Sequence, residues 1–159
     1  EWDENQRERA RAKKVTSARQ KNYIEGRIGM VIDGTGKEYD KIRQQKADLE
    51  ALGYDTHMIF VNTSIEVALE RNAKRERTVP EDVAITSWKQ VQGNIGKFSS
   101  LFRGTMVIVD NNKPDDNIEM KTFKEVKRLL GKKVRNTRAN QWIEIEMKKR
   151  GITRKPKGF

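Results

Sequence analysis

The chain has 159 residues, 35% hydrophobic and 36% charged, with a formal net charge of +11. It is long enough for one domain and an appendage, and no apolar run approaches the ~20 residues that cross a bilayer. With no cysteine and a single histidine, His57, the composition excludes disulfides, thiolate catalysis and cysteine-bound zinc, and leaves His57 no second histidine with which to share a metal.

The charge is uneven. Residues 121–159 hold 14 Lys and Arg against Glu125, Glu144 and Glu146, while the first 120 residues balance at 20 of each sign. The basic character therefore belongs to the last quarter and attracts phosphate polymers or acidic surfaces. A solvated helix pair with a frayed tail accounts for it equally well. The start at Glu1 leads us to expect a fragment, and the lack of a secretory signal leads us to expect a cytoplasmic protein.

In chain order, residues 3–24 are rich in helix formers and read as a helix entering the core through Val15, Ala18 and Tyr23, with Gly26 ending it. Residues 28–32 follow as a buried strand, too short for a helix and β-branched at Val31 and Ile32, with Asp33 at its carboxyl end. Tyr39, Ile42, Leu49 and Leu52 space a helix stopped by Gly53. Tyr54–Val61 reads as a strand, and Thr63 with Glu66 as a capping box for the next helix, along which Ile65, Ala68, Leu69 and Asn72 share a face. A long helix after Pro80 carries Val83, Trp88, Val91, Ile95, Phe98 and Phe102, and we assign those from Trp88 to Phe102 to the core. Thr105–Val109 is the third strand, ended by Asp110 and a turn through Asn111, Asn112 and Pro114. Helices over roughly 118–130 and 138–149 precede the tail. Strands separated by helices of this length imply right-handed crossovers and a mainly parallel sheet.

Three clusters could carry chemistry. Gly34-Thr35-Gly36-Lys37 suggests a phosphate loop, but GxxxxGK[ST] demands Gly at 31 and Ser or Thr at 38, where Val31 and Glu38 stand. Asp33 instead suits a cation or a substrate hydroxyl, and Thr35 a hydrogen bond to the substrate; a plain helix cap is the structural alternative. Arg71 and Arg75, four apart on one helix face, and Arg77 before Pro80 suit phosphate oxygens on a lid, unless Glu70 and Glu76 neutralise them. Asn111 and Asn112 could read a purine edge or hold a phosphate, or simply form a turn.

The motifs VIDGTG, GYDTHMIFVNTSIEVALERNAKRER, TVPEDV and VIVDNN, in that order over residues 7–115, resemble the later part of a P-loop kinase, most similar to the zeta-toxin and polynucleotide-kinase-like group. The resemblance implies an α/β fold, a three-layer mainly parallel sheet incomplete at the N-terminus, with a kinase-like part over 1–120 and a basic helical extension over 121–159. It implies an ATP-dependent phosphotransferase using ATP and Mg2+ and acting on a hydroxyl of a small molecule, nucleotide or nucleic-acid end. By the same resemblance Asp33 and Thr35 lie at the substrate, Arg71, Arg75 and Arg77 bind ATP phosphates, and Asn111 and Asn112 border the adenine. The family's phosphate loop is expected upstream, so that this chain alone would be inactive. The rival reading is a nucleic-acid-binding or assembly module that uses residues 121–159; against it, aromatics among the basic residues are scarce, with only Phe123, Trp142 and Phe159 for stacking. No membrane partner is expected, and the oligomeric state is open.

Overall fold

The computed structural model describes residues 2–113 and 117–154. Six helices and two strands follow in the order α1 (Trp2–Glu25), α2 (Tyr39–Leu52), β1 (Met58–Asn62), α3 (Ile65–Ala73), α4 (Glu81–Leu101), β2 (Met106–Asp110), α5 (Ile118–Leu130) and α6 (Thr137–Lys149). The chain divides into two compact units, 1–34 and 35–159.

In the first unit α1 runs its full expected length. Its C-terminus is closed by Ile28 N–H on the Tyr23 carbonyl at 2.9 Å and Arg27 N–H on the Ile24 carbonyl at 3.1 Å, the paired bonds of a Schellman stop. The left-handed residue of that stop is Arg27 at φ 53°, not Gly26. Two expectations fail here. Val15, Ala18 and Tyr23 are exposed rather than core, and residues 28–32 form no strand, with Val31 97% exposed. The reason is common to both: a buried parallel strand exists only when neighbours complete its ladder and both faces are covered, and this unit contains no second strand among its described residues. Asp33 therefore sits in an exposed irregular stretch and not at a strand tip.

The second unit is built on the one sheet. β1 and β2 pair in parallel, Met58 opposite Met106 through Asn62 opposite Asp110, joined by the crossover α3–α4. The sheet so formed has two strands where the sequence leads to three. Its core is Phe60, Phe98 and Phe102, with Tyr39, Ile42, Val91 and Ile95 packed against them. On α4 the apolar positions 91, 95, 98 and 102 recur every three or four residues, so one stripe of the helix meets the sheet. Phe98 is wholly buried, with its ring centroid 5.6 Å from that of Tyr39 and 6.5 Å from that of Phe60, distances typical of tilted aromatic pairs. The opposite side chains of β1, Ile59 and Val61, are exposed, as is Ile108, which lies on the same face as Phe60.

The helix ends follow local chemistry. Gly53 closes α2 at φ 112° in the left-handed region, as glycine permits. The second strand starts later than expected, at Met58, because Tyr54–His57 is spent in the turn that leaves α2. Ser64, not Thr63, caps α3, its hydroxyl accepting the Val67 N–H at 3.4 Å. Pro114 and the tail residues 155–159, including Phe159, lie outside the described residues.

Candidate functional site

Because β1 and β2 are parallel, both carboxyl ends open on the same side, where open α/β sheets bind ligands. Asn62 and Asp110 are the facing terminal residues. The two loops beyond them are tied together. Asn111 N–H donates to the Asn62 carbonyl at 2.9 Å, and Ser64 N–H donates to Asn112 Oδ1 at 2.5 Å. Asp110 Oδ1 accepts Asn112 N–H at 3.0 Å and the Asn112 amide at 2.5 Å. From α4, Gln92 donates to Asn62 Oδ1 at 2.9 Å and the Trp88 indole to the Thr63 carbonyl at 2.8 Å. Both asparagines of the predicted purine-reading pair thus lie at the strand tips, with the Asn112 amide engaged within the protein. Asp110 also heads a groove of about 400 Å³ between β2 and α5, lined by Val107, Ile108, Val109, Ile118 and Thr122.

The cap contact places α3 directly at this end of the sheet. Arg71 lies seven residues past Ser64, about 10 Å along the axis at ~1.5 Å per residue. It is half-buried, whereas Arg75 and Arg77 are exposed. Arg75 does not share a regular helix face with Arg71: α3 ends at Ala73, and Arg75 N–H turns back onto the Asn72 carbonyl at 3.2 Å. The segment that follows is held by one side chain. Asn72 donates to the Val79 carbonyl at 2.7 Å and accepts Val79 N–H at 3.0 Å, so a single amide staples both ends of the 73–78 loop. Glu70 forms its ion pair with Lys74 Nζ at 2.5 Å and not with an arginine, although Arg71 still acts on its carboxylate electrostatically. That bond with Lys74 holds Glu70 below the usual carboxylate range. Among the described residues none of Arg71, Arg75 and Arg77 is in an ion pair, which leaves three guanidinium groups for an anionic ligand.

Within the second unit, the turn at Thr35–Lys37 is pinned to α4. Asn94, 7% exposed, donates its amide to the carbonyls of Gly36 at 3.1 Å and Lys37 at 2.8 Å. Gly36 has φ 76°, a conformation that glycine adopts without strain. Thr35 is exposed at the start of this turn. Beside it a cleft of about 530 Å³ is lined by Lys37, Glu38, Lys89, Gln90, Asn94 and Lys97. Three lysines against one glutamate favour an anionic occupant.

Sequence reasoning did not identify Asn72 and Asn94 as positioning residues, although a signal was present. Both are amides on otherwise apolar helical stripes, where a polar group persists only if its hydrogen bonds are satisfied. Asn62 and Gln92 carried no such signal, because their meeting depends on how α4 lies over the sheet.

Among the described residues no group of three or more His, Asp or Glu side chains could hold a metal ion, and no helix is long and apolar enough to cross a membrane. No curated protein and no solved structure matches the chain. A model of the Zeta toxin family, by contrast, matches residues 5–125, a span that includes α1, the Thr35 turn, the arginine loop and both strand tips. The chain accordingly belongs to the Zeta toxin family, a P-loop kinase-like family.

Proposed function

We propose that this chain carries the lid and acceptor side of an ATP-dependent phosphotransferase that acts on a hydroxyl of a small molecule, a nucleotide or a nucleic-acid end. The observation that supports this reading best is the arginine loop: three guanidinium groups in no ion pair among the described residues, on a segment held by the Asn72 amide beyond the carboxyl ends of a parallel sheet. Guanidinium forks match phosphate oxygens in shape and charge, and phosphoryl transfer is catalysed mainly by positioning and charge neutralisation. Arg71, Arg75 and Arg77 bind the phosphates of ATP, and Arg71 and Arg75 offset the charge that develops on the transferred group. Thr35 orients the acceptor hydroxyl. Asn111 and Asn112 border the base. Mg2+ would arrive with the nucleotide, since such an ion takes one or two carboxylates and the phosphates themselves, and it would supply charge neutralisation between the phosphate groups.

The test is a titration of the full chain with a fluorescent ATP analogue, comparing wild type with the Arg71→Ala, Arg75→Ala double variant. A charge-assisted hydrogen bond contributes about 1.5–3 kcal/mol, so loss of both arginines should weaken nucleotide binding at least about tenfold, with the melting temperature of the free protein unchanged. Equal affinity in the two proteins would remove the arginines from the nucleotide site.

A further inference from the structure

The end of the sheet opposite the strand tips carries a second charged feature. His57 immediately precedes β1 and Thr105 immediately precedes β2, so both lie at the amino ends of the parallel pair, roughly 17 Å from the tips at ~3.3 Å per residue. The 131–136 turn between α5 and α6 docks here. Lys132 Nζ donates to the Gly104 carbonyl at 3.3 Å, and Arg135 N–H donates to Asp55 Oδ2 at 2.7 Å. Asn136 donates to the carbonyls of Glu50 and Tyr54 at 2.7 and 3.2 Å. These contacts gather cations from separate parts of the chain: Arg103 beside Gly104, Arg128 at the end of α5, and Lys132, Lys133 and Arg135 in the turn. Arg128, Lys132 and Arg135 all act electrostatically on His57. The opposing carboxylates are few. Glu125 pairs with Arg128 at 2.7 Å, and Asp55 is occupied by the Arg135 backbone.

We infer that this face, centred on Lys132, Lys133 and Arg135, binds the phosphate backbone of a single-stranded nucleic acid. It does not rest on the phosphotransferase reading, because none of its residues belongs to the strand-tip loops or to the arginine loop. The choice of partner follows from exposure. Arg103, Arg128, Lys133 and Arg135 are exposed, and an exposed cation paired with a protein carboxylate gains only about 0–1 kcal/mol. A phosphate polymer is different, because each cation that neutralises a phosphate releases a condensed counterion and so gains affinity even at an exposed position. On α5 the ring of Phe123, 59% exposed, stands beside Lys124 and Lys127, a combination suited to stacking a base beside its backbone.

The experiment titrates the full chain with a fluorescein-labelled single-stranded RNA at several salt concentrations. Binding should weaken linearly on a double-logarithmic salt plot. The Lys132→Gln, Lys133→Gln, Arg135→Gln triple variant should lower that slope by about 2, at ~0.7 per phosphate contact for single strands. A Lys41→Gln, Arg43→Gln control on α2, where both residues are already in salt bridges, should leave it unchanged. If the triple variant melts early, Lys133→Gln alone carries the test, with an expected slope loss of about 0.7, since its exposed side chain makes no hydrogen bond or ion pair among the described residues. No binding at low salt, or an unaltered slope in the folded variant, overturns the inference. Binding to anionic phospholipid vesicles but not to RNA overturns it in favour of a membrane surface.

Discussion

His57 shows how one residue couples the fold to pH. Its Nδ1 is buried and makes no hydrogen bond among the described residues. Burial, the charges of Lys132, Arg128 and Arg135, and an opposing contribution from Asp55 leave its pKa below the ordinary 6.5. A histidine whose folded pKa is lowered binds fewer protons in the folded than in the unfolded chain. Its contribution to stability is then complete above about 6.5 and is lost as pH falls from there through the folded pKa. The stability of wild type, measured by urea denaturation, should decline over that interval, and His57→Gln should remove this part of the decline. An identical pH profile in the two proteins would show that the imidazole is not held neutral by its surroundings. The sequence offered only a lone histidine among strand formers, because neither the burial of Nδ1 nor the approach of Lys132 is local.

At the level of elements, the docking of α6 depends on one side chain with two tasks. Asn136 Oδ1 accepts the N–H groups of Arg138 at 2.9 Å and Ala139 at 3.4 Å, capping the helix, while its Nδ2 reaches the carbonyls of Glu50 and Tyr54. Loss of a cap costs about 0.5–2 kcal/mol and each further hydrogen bond about 1 kcal/mol. Asn136→Ala should therefore destabilise by about 2.5–4 kcal/mol, read from the denaturation midpoint at constant slope. A cost below about 1 kcal/mol would mean that the cap alone counts and the cross-element bonds contribute nothing. Helix positions were legible in the sequence because periodicity and stops such as Gly53 are local. The strands were legible only in part: Met106–Asp110 matched within a residue, whereas residues 28–32 had the composition of a strand without a partner to pair with.

For the whole molecule the decisive quantity is the size of the core. Among the described residues Leu49, Phe60, Phe98, Phe102, Leu129 and Ile143 are the buried hydrophobic residues, and only the three phenylalanines form one cluster with the sheet. Phe→Ala in such a place costs about 3–5 kcal/mol, against a total of about 5–15 kcal/mol for ordinary domains. Phe98→Ala should leave the second unit largely unfolded near physiological temperature, with loss of near-ultraviolet dichroism and a much lower melting temperature. A cooperative transition close to that of wild type would place the energetic core elsewhere.

The sequence by itself determined the helices, the order of strand and helix between Met58 and Asp110, the position of the arginine loop and the basic last quarter. Each of these is written in spacing of three to four residues, in turn-forming residues or in net charge, all of which act over short stretches of chain. The tertiary structure alone decided three further matters. Asn72 and Asn94 became loop-pinning amides through contacts with Val79 and with the Gly36–Lys37 turn, and Ser64 was joined to Asn112 across 48 residues. Arg128, Lys132 and Arg135 were brought within electrostatic reach of His57 at the amino end of β1. Residues 28–32 remained outside the sheet. The physical reason is the same throughout: a hydrogen bond or ladder between distant segments exists only after the chain has brought them together, and no local propensity encodes which partner will arrive.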